Sequence, residues 1–399
     1  MKRLSEAQRI EAENLEIARE FFAGRFAELE DPRRAQGLRY PLSLVVISAL
    51  LASVAGADDA QAMETWSRIN ADWLSGFLDM PHGSPSQDVY LAVFATLDPR
   101  QFESVFRAWA NWLRIAGEGA EHIAIDGKTS RGSRSETGVA LHSLNAWLVG
   151  SGLVLGQHGT QGKGNEITAI PKLLEKLDLR GAVVSIDAIG CQRAIAEQIV
   201  EADADYFLQV KKNQSTLLSE CKYAFESAVD AETGEVIASD DSASYEETTK
   251  GHGRIETRRA TVSTDLARLK EVTDWPEAES VVRVERSREV QQTGNRATEV
   301  AYYVSSVMDL SPARALALSR DHWTIENQLH WVLDVAFGED HARHRAKNAA
   351  ENISLLRKWA LNLIRTRKNR KGGVKNNRKQ AGWDRSYLVE LIANPAWRE

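Results

Sequence analysis

The sequence predicts a mixed α/β protein with an all-helical first part, a middle of alternating strands and helices, and a β-rich insertion before the chain returns to helix. Two observations carry this. Apolar residues recur at helical spacing up to about residue 115, and from Ile123 the pattern changes to short apolar runs separated by amphipathic stretches. Length agrees: 399 residues exceed what one core usually fills, and a 43% hydrophobic composition can fill more than one folding unit.

In the first part, Leu15, Ala18, Phe22, Phe26 and Leu29 mark a helix within residues 5–30. The most apolar stretch, residues 41–57, contains Ser43, Ser48 and Ser53, is followed by Asp58-Asp59, and falls short of the roughly 20 residues that cross a bilayer. It predicts a buried helix opened by Pro41. Further tryptophan-rich helical runs follow, broken by a loop at residues 80–86 and closed by the polar stretch 117–122. Residues 1–118 are therefore expected to form a helical N-terminal region.

The next part opens with Ile123-Ala124-Ile125, a strand closed by Asp126. Residues 141–149 and 153–157 predict a hairpin around Ser151-Gly152, and residues 165–177 a helix. A strand closed by Asp187, a helix over 192–202 and a strand over 206–210 complete the series. The order β-β-β-α-β-α-β is that of a ribonuclease H-like fold, in which the first and fourth strands are neighbours and Asp126 and Asp187 lie side by side. Strand-like sequence returns over about 239–306, with hairpins at Gly251-His252-Gly253 and Gln292-Thr293-Gly294-Asn295. This insertion separates Asp187 from a third acid, Glu326, in the helix-like segment 324–331. The expected catalytic unit spans 119–365, and a basic tail spans 366–399.

Composition excludes several classes. A net charge of −6 argues against a protein that coats nucleic acid through bulk charge. Two cysteines, Cys191 and Cys221, build neither a disulfide framework nor a four-cysteine zinc site, and predict a reduced, cytoplasmic setting. The opening residues Met1-Lys2-Arg3-Leu4-Ser5-Glu6 carry no signal-peptide pattern. Gly162-Lys163-Gly164-Asn165 lacks the first glycine and the final Ser or Thr of an ATPase phosphate loop.

Three oxygen-donor side chains from distant parts of a chain are what two Mg²⁺ or Mn²⁺ ions need if they are also to hold phosphate oxygens. His322, Glu326 and His330 lie four residues apart and share a helix face, with Asn327 and Trp331 adjacent. That spacing is not the His-Glu-x-x-His arrangement of zinc enzymes. The histidines either contact phosphate, support the carboxylate, or pack at an interface.

Three runs carry a resemblance: Ala124-Ile125-Asp126-Gly127-Lys128-Thr129, Ser185-Ile186-Asp187-Ala188-Ile189-Gly190-Cys191-Gln192, and the stretch from His322 through Glu326 to Val335. Together with Asp31-Pro32-Arg33, Pro85-Ser86-Gln87-Asp88 and Asn352-Ile353-Ser354-Leu355-Leu356-Arg357, they resemble the ISAs1-family transposases of bacterial insertion sequences, which include the H-repeat-associated proteins. The resemblance implies metal-dependent cleavage and strand transfer of DNA, with Asp126 bridging two ions and Asp187 and Glu326 each holding one side. Related IS4-type enzymes carry a tyrosine, an arginine and a lysine at fixed distances around the glutamate; Ser319, His322 and Leu333 stand there in this chain. A catalytically silent DNA-binding descendant, and a nuclease that does not join strands, remain open. Insertion-sequence ends and target DNA are the expected partners, engaged by a homodimer or larger assembly at the bacterial nucleoid, with no membrane.

Candidate phosphate contacts are Lys128, Lys211 and Lys212, with Arg254, Arg258 and Arg259 weaker; solvated loop residues are the alternative for each. Arg365, Arg367, Lys368, Arg370 and Lys371 form a basic run in an otherwise acidic chain, the charge asymmetry that a DNA partner requires. A basic tail with no specific partner is the alternative.

Overall fold

The computed structural model describes residues 6–34, 38–114, 121–134, 138–226, 228–229, 236–237, 242–251, 253–366 and 372–393. The first part is helical: α1 (Glu6–Phe26), α2 (Leu42–Val54), α3 (Ala60–Ile69), α4 (Ala71–Leu74), α5 (Gln87–Thr96) and α6 (Pro99–Arg114). Helix α2 is apolar all round and is buried on nearly every side, as such a helix must be. Asp59 caps α3 by accepting from the Ala62 N–H. No described helix is long and apolar enough to cross a membrane.

Strands and helices then alternate: β1 (His122–Ser130), β2 (Leu141–Leu148), β3 (Leu153–Gln161), α7 (Glu166–Leu174), β4 (Val183–Ile186), α8 (Arg193–Glu201), β5 (Asp205–Val210) and α9 (Ser215–Tyr223). A two-stranded ladder, β6 (Ala228–Val229) with β7 (Val236–Ile237), precedes β8 (Ser242–Gly251), β9 (Arg254–Ser263), the short α10 (Lys270–Thr273), β10 (Ser280–Val290) and β11 (Arg296–Ser305). Helix α11 (Pro312–His322) starts at Ser311, whose hydroxyl accepts from Arg314 N–H, with Pro312 at its first position. A π-helical turn (Ile325–His330) joins it to α12 (Trp331–Phe337), followed by α13 (Ala349–Arg365), α14 (Val374–Trp383) and α15 (Arg385–Ile392).

One nine-stranded sheet runs β3-β2-β1-β4-β5-β11-β10-β9-β8. Strands β1, β4 and β5 are mutually parallel, and the other pairings are antiparallel. The expected neighbourhood of the first and fourth strands is present. The expected insertion is β-rich as well, and it continues the same sheet, because β11 pairs with β5 through Tyr302–Val210 to Ser305–Phe207.

Two boundaries differ from expectation. Strand β1 does not end at Asp126: Gly127 to Ser130 pair with Leu144 back to Leu141, so the aspartate sits in mid-strand opposite Asn145. Gly127 is required there for space, since a Cβ would lie 2.5 Å from His142 Nε2 and 2.8 Å from Glu166 Oε1, a buried pair against the strand. Within the expected tail 366–399, the described residues 372–393 form α14 and α15, which fold back, and Tyr387, Leu388, Leu391 and Ile392 are buried in the main core.

That core joins both ends of the chain. Trp359 of α13 has its ring centroid 5.1 Å from Phe26, 5.3 Å from Trp109, 5.6 Å from Phe106 and 5.7 Å from Phe102. The N-terminal helices therefore bury their apolar faces against α13, which in turn packs on β3. A second core fills the opposite face of the sheet under α7 and α8.

Candidate active site

Alternation along β1 sends Ala124, Asp126 and Lys128 to the α13 side of the sheet and Ile123 and Ile125 to the other. On β4 the end of the strand brings Asp187 into place, where it accepts from Ile189 N–H at 3.1 Å and caps a short 3₁₀ turn. Glu326 comes from the π-helical turn, where the wider register re-aims side chains that an α-helix would stack; such turns concentrate at functional sites. Thr324 anchors the turn by donating to Asp321 O and accepting from Trp147 Nε1.

Asp126, Asp187 and Glu326 line one cavity of about 110 Å³, together with Ser185, Phe207, Gln209, Lys211, Tyr303, His322 and Trp323. His330 lies behind it, its Nδ1 3.2 Å from Glu326 Oε2 and 3.6 Å from Asp126 Oδ2. Burial, then the nearby Glu326 carboxylate, pushes the Asp126 carboxyl well up; the His330 hydrogen bond holds Glu326 down. The two share one proton more readily than they hold two charges. Burial also raises Asp187, against the N–H groups of Ile189 and Gly190, which favour its ionised form. Carboxylates crowded and half-dehydrated in this way suit a bound divalent cation, and ligand atoms of Asp126, Glu326 and His330 lie within 4.8 Å of one another.

His322 also reaches the cavity, and it is positioned from beneath. Its Nδ1 is 2.8 Å from Ser185 Oγ, which is 2.7 Å from His122 Nε2. Burial keeps both rings neutral, pushing His322 down to about 4 and His122 to about 3. Sequence reasoning missed His122, Ser185 and Asn145, which carry no motif. It also passed over Glu166, just after the loop set aside as a phosphate site.

Lys211 stands at the cavity with its side chain exposed, and Lys212 beside it is exposed as well. Asn327 is exposed and donates to Trp323 O. Two expected phosphate contacts are corrected. Lys128 is 6% exposed and bonded to Asp334 at 2.7 Å, because β1 turns it inward under α12. Arg365 donates to Gly152 O and Gln328 O and stacks over the Trp147 ring at 4.5 Å, so its charge serves the fold. Arg254 lies at the β8–β9 hairpin, three strands beyond β5, and is not brought to the cavity. Arg258 is tied to Glu256 and Glu247, and Arg259 to Ser244 Oγ. Arg367, Lys368, Arg370 and Lys371 lie outside the described residues.

Comparison with known proteins places the chain in a family. A family model described as transposase DDE domain matches residues 117–363, and one described as DDE_Tnp_1-associated matches residues 23–110. The chain belongs to the DDE transposase family, in agreement with the ISAs1 resemblance of its sequence. It is 36% identical to "Putative transposase YncI" of Escherichia coli O157:H7 over 92% of this chain and 93% of that relative. It is 33% identical to "H repeat-associated putative transposase YhhI" of Escherichia coli strain K12, over 92% and 96%. It is also 41% identical, over 66% and 88%, to an uncharacterized protein of Xanthobacter autotrophicus encoded in the dhlA 3′ region.

Proposed function

We propose that this transposase cuts DNA at the ends of an insertion sequence and joins those ends to a target, using Asp126, Asp187 and Glu326 as the ligands of two Mg²⁺ or Mn²⁺ ions. One observation carries the reading: three carboxylates from β1, the end of β4 and the π-helical turn line a single small cavity. The order β3-β2-β1-β4-β5, with β1, β4 and β5 parallel, supports a ribonuclease H-like core, to which β8 to β11 add an insertion at one edge.

Bound divalent ions would stabilise the charge that develops on the attacking and leaving oxygens of a phosphodiester. In the cut, a water oxygen forms a bond to phosphorus as the bond to the 3′-oxygen breaks. The water proton passes to solvent, and the leaving oxygen takes one up as a 3′-hydroxyl. In joining, that hydroxyl attacks a target phosphodiester and releases a target 3′-hydroxyl. Asp126, on β1, which is paired on both sides, would hold the central position, with Asp187 and Glu326 on either side. Ser185 orients His322, and Lys211 adds positive charge where a phosphate would enter. The helical region 1–118 is the proposed reader of DNA ends, and pairing two ends calls for at least a dimer. DNA as substrate places the protein at the nucleoid.

The test uses purified protein, end-sequence DNA and Mg²⁺. Asp126→Asn, Asp187→Asn and Glu326→Gln should each lower cleavage about a thousandfold or more, because each removes a ligand charge at nearly constant shape. End binding should persist. Near-normal cleavage by any of the three would remove that residue from its role. Binding by the wild type with no cleavage would favour a silent descendant, and cleavage without joining would favour a nuclease.

A further inference from the structure

Beside the carboxylates lies a buried ionic cluster that the chemistry above leaves unused. Lys128 Nζ is 2.7 Å from Asp334 Oδ1, 3.7 Å from Asp340 Oδ1 and 3.8 Å from Glu339 Oε2. Two of the acids are held from a second side. Asp340 accepts from the Arg131 N–H; Glu339, itself buried, accepts from Ser354 Oγ, which in turn accepts from Lys358 Nζ at 3.1 Å. Lys358 is fully buried and also bonds to Gln157 Oε1, a residue of β3.

The cluster repeats the spacing of the site next to it. Residues 126 and 128 point to one face of β1, while residues 326, 330 and 334 succeed one another at four-residue steps along the packed segment. Asp126 meets His330, and one step further on Lys128 meets Asp334. We propose that Lys128 and Asp334 form a positioning clamp, which fixes the seating of the Glu326 segment on β1 and thereby the separation of Asp126 and Glu326 when they hold divalent ions.

Two features make a clamp necessary. The Glu326 segment is π-helical, a rare register that departs from the α-helical ladder for a single turn, so its side chains need a fixed point downstream. The three site carboxylates repel one another, and an inward-facing ammonium two residues from Asp126 opposes their separation while lying too deep to touch DNA. Losing Asp334 leaves buried Lys128 with only the two more distant acids, and losing Lys128 leaves three acids without the cation between them, so the segment would shift to relieve the imbalance.

The inference rests on the metal-binding reading above, and the experiment separates the two. Mn²⁺ binding to the full-length protein is followed by electron paramagnetic resonance, and cleavage of end DNA under steady-state conditions, for Lys128→Met, Asp334→Asn, the double variant and Asp126→Asn. Asp334→Asn keeps shape and guards against Lys128→Met failing to fold. Each clamp variant should weaken Mn²⁺ binding about 10- to 100-fold, the range seen when groups that orient metal ligands are lost. The kcat should fall in parallel, KM for DNA should stay within about twofold, and excess Mn²⁺ should restore much of the rate. The double variant should be no worse than the poorer single one, as for groups acting as a unit. Wild-type Mn²⁺ affinity in both single variants, with binding lost in Asp126→Asn, would overturn the clamp and leave the proposed function standing. No Mn²⁺ binding by the wild type would overturn both.

Discussion

Asn145 Nδ2 stands 3.4 Å from His330 Nε2, on the side of the ring away from the carboxylates. An amide donor at Nε2 makes that nitrogen the acceptor and leaves the imidazole proton on Nδ1, which faces Glu326 and Asp126. A buried amide on β2 thus sets the tautomer of a histidine that hydrogen-bonds Glu326 and lies close to Asp126.

Replacing that donor should therefore be felt at the site. Asn145→Leu, which removes the amide donor at similar size, should lower single-turnover cleavage about 10- to 100-fold, as should His330→Gln, and the double variant should add little. A normal rate in Asn145→Leu would show that the ring needs no such partner.

Metal choice follows from the donor set. Mg²⁺ or Mn²⁺ should support cleavage, while Ca²⁺ supports DNA binding with little chemistry, because its larger, looser shell positions the nucleophile poorly. Zinc should be dispensable: loss of activity on selective removal of stoichiometric zinc would replace the carboxylate site with another.

Acid should destabilise the protein through His122. Its folded value near 3 lies below the ordinary 6.5, so the unfolded chain binds the extra proton first. The contribution is complete above about pH 6.5 and is lost as pH falls through that value toward 3. His122→Gln should flatten the pH dependence of the melting temperature in this window; an unchanged profile would assign acid sensitivity to other groups.

Trp359→Ala should cost about 3–5 kcal/mol, the usual range for deleting a large core aromatic. Its ring contacts Phe26, Phe102, Phe106 and Trp109, so the loss should appear as one cooperative transition rather than melting of the N-terminal helices alone. Two separate transitions in a calorimetric scan would show that the helices fold independently.

Arg365 and the residues after it should behave differently. Alanine at Arg367, Lys368, Arg370 and Lys371 should weaken specific and random DNA by similar factors and flatten the salt dependence of binding. Alanine at Arg365 should instead lower the melting temperature, since its guanidinium ties Gly152 and Gln328 to α13. A selective loss for specific ends in the four-residue variant would move sequence reading to that segment.

Strand order as far as β5 could be read from the chain, because its apolar runs are bounded by turn residues or amphipathic helices and leave few alternatives. The three acids were legible too: Asp187 and Glu326 stand where a periodic segment ends or turns, whereas Asp126 follows the apolar run Ile123 to Ile125 but lies in mid-strand. The pairing of β11 with β5 was not, since nothing local in Tyr302 to Ser305 names a distant partner edge. Lys128 misled because a lysine carries no sequence mark of burial; only the later Asp334, Glu339 and Asp340 reveal its orientation. Arg365 misled through the company it keeps, a basic run whose first member belongs to the fold. His122 and Ser185 act through each other across two strands, and single residues of such common types leave no trace in one sequence.

The place of β8 to β11 between β5 and α11 also sets the order in which the proposed site can assemble. During synthesis Asp126 and Asp187 emerge first, on strands that can pair with each other at once. Glu326 follows only after four long strands have been added to the sheet's edge, and its anchorage on α13 later still. Non-local pairing of this kind is slow because loop closure precedes its reward. On the role proposed for the three acids, a chain that ends before α11 lacks the third ligand and should not cleave DNA.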